Sequence, residues 1–161
     1  MIVIVMGVTG AGKTTVGQLL AGQLGWEFAD ADDFHPAENV EKMRRGIALG
    51  DDDRRPWLES LHAAITGWIA AGKNVVLACS ALKRVYRQQL EAGPLVRFVY
   101  LKGSSELIGM RLRARHGHFA GGQILAGQFA DLEEPVGAVT VEISSTPQQI
   151  VAEIRERLGL A

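Results

Sequence analysis

Short runs of consecutive apolar residues alternate along the chain with longer segments whose apolar residues recur every three or four positions. The run IVIVM at residues 2–6 is apolar on both alternating faces, as a strand must be when helices cover a parallel sheet from both sides. Residues 13–24 carry Val16, Leu19, Leu20 and Leu24 at helical spacing. A second strand is expected over residues 27–31. Pro36 suits the first turn of a helix, where its missing N–H would have no partner anyway, and Gly46 suits that helix's end. A longer helix is predicted from about 56 to 71, stopping near Gly72. NVVLAC at 74–79 is the third strand, and a helix follows from Lys83 to about Glu91. VRFVYL at 96–101 is the fourth strand. Ser104 or Ser105 can cap the next helix, which runs to about Ala114 before the glycine-rich RHGHFAGGQ interrupts it. The fifth strand falls at 139–143, and Thr146-Pro147 opens the last helix.

Strand-helix alternation with no repeat, low-complexity tract or linker predicts a single α/β domain over 1–161, three layers deep, around a mostly parallel sheet. The length of 161 residues suits one core rather than two. A formal net charge of −1 gives no bulk field toward nucleic acid or an acidic membrane. The apolar start is short and runs into glycines, so it reads as neither signal peptide nor membrane span. The single cysteine, Cys79, lies in an apolar run and predicts a buried thiol. Together these features predict a soluble, cytoplasmic protein.

Candidate chemistry begins at residues 7–14. Gly7, Val8, Thr9, Gly10, Ala11, Gly12, Lys13 and Thr14 fit G-x-x-x-x-G-K-[ST] after a strand and before a helix. Backbone N–H groups of such a loop turn toward phosphate oxygens, the lysine reaches the β- and γ-phosphates, and the threonine hydroxyl can ligate Mg²⁺. The loop therefore predicts ATP and Mg²⁺ as ligands, with Thr15 beside them. No N-K-x-D guanine signature and no D-x-x-G switch element follow. Ser80 stands after the third strand where an acid often supports the metal, so that acid is expected from elsewhere.

The stretch FADADDFHP supplies it. Ligands collect at the carboxyl ends of strands in a doubly wound sheet. Strand alternation puts Asp30 and Asp32 on one face, giving one acid for a metal-bound water and one for an acceptor hydroxyl. Asp33 falls off that face and reads as solvated. Lys83 and Arg87, four apart at the start of a helix, either meet an anionic substrate or form a solvated cationic face. Arg111 and Arg115 share a helix face ahead of a segment, about 115–127, that suits a lid closing over ATP. Arg113 reads as solvated. The lid's histidines, His116 and His118, come without cysteine, which argues against a zinc-stapled lid.

The blocks DADDFHPAENVEKMRRG, GDDDRRPWL, CSALKRVYR and RLRARHGHF resemble the gluconokinases among phosphate-loop small-molecule kinases, in order and over nearly the whole chain. The resemblance implies a five-stranded parallel sheet like that of shikimate and adenylate kinases, a homodimer, and phosphorylation of D-gluconate on its 6-hydroxyl from Mg·ATP. It implies that Asp32 binds the acceptor hydroxyl as base or orienter and that Asp30 sits behind the metal's water. It also places His35 in the acceptor pocket and Arg54 on the gluconate carboxylate, with Lys83 and Arg87 as further candidates. Arg111 would lie near adenine and Arg115 on the phosphates. Lys13, Asp32 and Arg115 are then the catalytic set. Asp33 departs from the family pattern. Another small-metabolite kinase, acting on shikimate or a nucleotide, is the second reading, although shikimate kinases carry a glycine triplet where this chain has CSALK. A nucleotide-binding switch without transfer chemistry is the third.

Overall fold

The computed structural model describes residues 1–116 and 122–161. His118 and the middle of the expected lid, residues 117–121, lie outside the described residues.

Five parallel strands form one sheet in the order β2-β3-β1-β4-β5. They are β1 (Ile2–Met6), β2 (Glu27–Asp30), β3 (Val75–Ala78), β4 (Val96–Lys102) and β5 (Val139–Glu142). Every side chain of the central β1 is buried, and its alternation feeds two cores. Val3 and Val5 face a layer built from Val16 and Leu20 of α1 (Lys13–Leu24) and Ile150 and Ile154 of α7 (Pro147–Leu158). Ile2, Ile4 and Met6 face Trp57, Leu61 and Ile65 of α3 (Asp51–Ala70). The three-layer α/β architecture expected from the pattern is thus formed. Among the described residues no helix is long and apolar enough to cross a membrane.

Element ends carry the departures from expectation. Strand β2 stops at Asp30, one residue early, because the Asp30 carboxylate accepts a hydrogen bond from the Asp32 N–H at 3.0 Å. That bond turns the chain into a 3-10 helix over Ala31–Phe34. Asp30 and Asp32 are therefore not related by strand alternation. Helix α2 covers Ala37–Arg44, with Pro36 as its cap. Helix α3 starts at Asp51, well before Pro56, because Asp53 Oδ2 accepts from the Gly50 N–H at 2.9 Å and three acids suit the positive helix start. Pro56 lies near enough to that start that one lost backbone bond is tolerated.

Helix α4 is Arg84–Leu90, with Lys83 just outside as its cap; Tyr86 and Leu90 are buried in the core that α3 covers, whereas Leu82 precedes the helix and packs in the opposite core, so the expected stripe of three is split. Helix α5 (Ser105–His116) is capped by Ser104, whose Oγ accepts from the Leu107 N–H at 3.1 Å. A further helix, α6 (Gly122–Asp131), had no expectation of its own. Two glycines in its ten residues and no cap signal hide it in the sequence. At α7 the expected start is present as a reciprocal pair: the Gln149 N–H donates to Thr146 Oγ1 at 3.2 Å and the Thr146 N–H to Gln149 Oε1 at 3.1 Å.

Candidate active site

The loop between β1 and α1 is shaped by its glycines. Gly10 has φ of 79°, and a Cβ there would lie 2.7 Å from Leu112 Cγ of α5, so a side chain meets both strain and a clash. The loop lines one wall of a cleft of about 810 Å³ at the carboxyl edge of the sheet. Lys13 Nζ donates to the Val8 carbonyl at 2.9 Å, which holds the ammonium over the loop. Burial pushes the Lys13 pKa down, and the charge of Asp32 opposes that push.

From the loop the cleft runs to an end lined by Asp30, Asp32, His35, Arg54 and Trp57. Partial desolvation, then the charge of Asp30, raises the Asp32 pKa above the usual carboxylate value, with Lys13 acting in the other direction. His35 stacks on Trp57, and its Nδ1 faces Asn39 Nδ2 at 3.2 Å. Asn39, buried in α2, also donates from Nδ2 to the Asp53 carbonyl at 2.6 Å. With the amide as donor, Nδ1 accepts and the ring proton sits on Nε2. Burial, then Arg54, lowers the His35 pKa, so the ring is neutral at pH 7.

Arg54 is held from behind. Its Nη1 donates to the Tyr86 hydroxyl at 2.9 Å, and its Cζ lies 5.5 Å from the centre of that ring. Tyr86 in turn donates to Asp51 Oδ1, which also accepts from Lys83 Nζ at 3.0 Å. Lys83 is thus engaged with Asp51 and Tyr86 and is not in the cleft wall. Arg87 is also outside the wall. It is buried, and its guanidinium donates to the carbonyls of Ala81 (2.7 Å), Leu82 (3.0 Å) and Glu133 (2.7 Å). Its place as a substrate candidate is corrected accordingly: a buried guanidinium that spends three of its five N–H groups on backbone carbonyls, away from the cleft wall, is not placed to meet a substrate carboxylate. The pairing of Lys83 and Arg87 on one cationic face fails because Lys83 precedes the helix.

At the other end of the cleft lie Arg111, Arg115, Ser145, Pro147 and Ile150. Arg111 donates from Nη2 to the Ile143 carbonyl at 2.6 Å. Arg113 is exposed and outside the wall, as is Asp33. Thr14 lines the cleft with the acids. Hydroxyl and carboxylate oxygens are the hard donors that Mg²⁺ takes, and Mg²⁺ keeps waters and phosphates as its other ligands, so the set fits that ion without an all-protein cage. Cys79, also on the wall, is buried, and burial pushes its thiol up to about 12, which leaves it inert. Sequence reasoning missed Trp57, Asn39, Tyr86, Gln128 and Asp131 as parts of this site. Only the apolar stripe containing Tyr86 carried a signal, and it spoke of packing.

A phosphate loop at the first strand of a five-stranded parallel sheet, facing a second polar subsite, defines a phosphate-loop kinase, a phosphotransferase. Comparison with known proteins agrees. The shikimate kinase family model matches residues 9–158. The thermoresistant gluconokinase of Escherichia coli K12 is 42% identical over 160 residues, 96% of this chain and 91% of that protein. A gluconokinase of Gluconobacter oxydans is 47% identical over 133 residues, 82% of this chain and 75% of its own. The crystal structure of a gluconokinase from Sinorhizobium meliloti superposes with a TM-score of 0.88 at 41% identity, covering 98% of this chain and 90% of that one. The chain belongs to the gluconokinase family, within the wider shikimate kinase class.

Proposed function

We propose that this protein transfers the γ-phosphoryl group of ATP to the 6-hydroxyl of D-gluconate. The observation that carries the reading is the cleft itself, which joins the phosphate loop to an end with one carboxylate of raised pKa, Asp32, and one arginine, Arg54. Gluconate offers a hydroxyl at one end and a carboxylate at the other, and the two residues match those groups in kind. The relatives named gluconokinases support the choice of acceptor.

In this reading the 6-hydroxyl oxygen attacks the γ-phosphorus, the bond from that phosphorus to the β–γ bridging oxygen breaks, and ADP leaves. Asp32 orients the hydroxyl and accepts its proton. Protein groups do little covalent work in such a transfer, so position and charge carry it. Lys13 and Arg115 meet the charge on the transferred group, the N–H groups of residues 7–15 hold the phosphates, and Arg111 stands near the base. His35 presents its Nε2–H to the acceptor. Thr14 and, through water, Asp30 would hold Mg²⁺, which neutralises phosphate charge when bound. The segment around 115–127 serves as the lid. Cytoplasmic ATP, a free buried thiol and a net charge of −1 favour action in the cytoplasm without nucleic acid. The family resemblance favours a homodimer.

The test is ADP formation against gluconate, glucose, shikimate and nucleoside monophosphates. Gluconate should be turned over far faster than the rest. Equal rates with glucose, or ADP release that ignores the acceptor, would overturn the assignment.

A further inference from the structure

Helix α6 reaches both halves of the cleft from one face. Gln128 and Asp131 are three residues apart, so their side chains lie one above the other. Gln128 Oε1 accepts from the N–H of Thr9, inside the phosphate loop, at 2.6 Å. Asp131 Oδ2 lies 3.7 Å from Arg54 Nη1, at the acceptor end. Both residues line the cleft. The end of the helix is fixed to the body. The Glu133 N–H donates to the Leu82 carbonyl at 2.9 Å, Arg87 donates to the Glu133 carbonyl, and the Arg84 N–H donates to Glu133 Oε1 at 3.2 Å. A helix held at its end, with one contact on the loop and one on the arginine, is a strut between two subsites.

We propose that Gln128 and Asp131 are positioning residues that make nucleotide binding and acceptor binding interdependent. The proposal rests on the gluconate reading above. Its chemistry is plain. A phosphate oxygen arriving at the loop competes with Gln128 Oε1 for the same N–H, and a substrate carboxylate arriving at Arg54 competes with Asp131 for the same guanidinium. Each ligand loosens one contact of a shared helix, so the second ligand meets a helix with one restraint already gone. Asp131 also sets an acceptor oxygen beside a cation, which suits a carboxylate flanked by a hydroxyl. The Arg54–Asp131 pair does not hold the fold together, because it is long and partly open to water.

The experiment measures the gluconate Kd by calorimetry with and without a non-hydrolysable ATP analogue and Mg²⁺, in the full chain. The ratio of the two cancels any uniform loss of either affinity. In the wild type it should be about tenfold, within the usual range of coupling between sites. Gln128→Ala and Asp131→Ala should each bring it below about twofold, and Asp131→Glu, which keeps the charge, should recover most of it. A merely structural role would lower Tm and leave the ratio alone. Wild-type protein that phosphorylates gluconate with no such ratio, or variants that keep it, overturn the coupling by itself. Wild-type protein that does not bind gluconate at all overturns the acceptor assignment and the coupling with it.

Discussion

The imidazole of His35 lies flat on the indole of Trp57, with ring centroids 4.5 Å apart and planes 11° from parallel. Trp57 is itself pinned, since its Nε1 donates to the Ala31 carbonyl at 2.7 Å. The histidine is thus fixed from beneath by the ring and from the side by Asn39, in a form that has no room for a second ring proton on Nδ1.

That arrangement predicts a pH signature. The folded pKa of His35 is lowered, by burial first and by Arg54 second. Between that value and the unfolded value of about 6.5 the unfolded chain binds more protons, so stability rises with pH through the window and is lost as pH falls through it. His35→Gln removes the titration. Thermal unfolding followed from pH 8 to 5 should show wild type losing stability below about 6.5 and the variant losing less. Parallel curves would mean that the histidine is not held neutral.

Arg87 makes a second case. Its guanidinium holds three carbonyls, one of them at Ala81, whose φ of 44° is strained for a residue with a Cβ. Arg87→Ala leaves buried carbonyls without a partner and should cost roughly 2 to 4 kcal/mol, given about 1.5–3 for each bond to a charged donor and partial rescue by water. Urea unfolding reads this as a lower midpoint at constant slope. Arg87→Lys should recover little, because an ammonium cannot span the fork. A variant of normal stability with a raised gluconate KM would return Arg87 to the acceptor site.

Arg87 also shows where the sequence stops being legible. The fully apolar strands, the loop at 7–14 and the Thr146-Pro147 cap are local signals, and each appears in the structure where it was expected. The acids at 30 and 32 line the cleft, but through a 3-10 turn built by a side chain that no periodicity reports. A buried arginine and an anion-binding arginine look alike in one dimension. What distinguishes Arg54 from Arg87 is which carbonyls the fold brings within reach: those of Ala81 and Leu82 lie in the loop just before the helix, turned toward the guanidinium, and that of Glu133 is 46 positions away. Gln128 and Asp131 were hidden for the same reason, since their partners, Thr9 and Arg54, lie over seventy positions away.

The arginines of α5 separate by face. Arg115 lines the cleft, whereas Arg113 is exposed and points elsewhere. An arginine on the transferred phosphoryl is worth on the order of 10³-fold or more in other enzymes of this kind. Arg115→Ala should lower kcat strongly with little change in gluconate KM, and Arg113→Ala should do little. Both side chains are open to water, so neither change should move Tm. If the two variants behave alike, the face assignment is wrong.

Asp32 ties activity against stability. Its folded pKa is raised, by desolvation first and by the charge of Asp30 second. Between the unfolded value near 3.9 and the raised value the folded protein binds more protons, so stability falls as pH rises through that window, by an amount that solvent keeps small because Asp32 is itself exposed. Asp32→Asn removes the charge and keeps the shape. It should therefore unfold at a higher temperature than wild type at pH 7, with the advantage gone below about pH 4. The same change should cost roughly 10²- to 10⁴-fold in kcat, the usual loss for a general base, because an amide holds the hydroxyl but does not take its proton. The acidic limb of the wild-type kcat/KM profile should lie above the ordinary carboxylate range. Asp30→Asn, at the residue proposed to hold a metal-bound water, should instead raise the Mg²⁺ concentration needed for half-maximal rate, and the exposed Asp33→Asn should be silent. A variant at Asp32 that is both inactive and less stable would show that the carboxylate holds the fold rather than the proton.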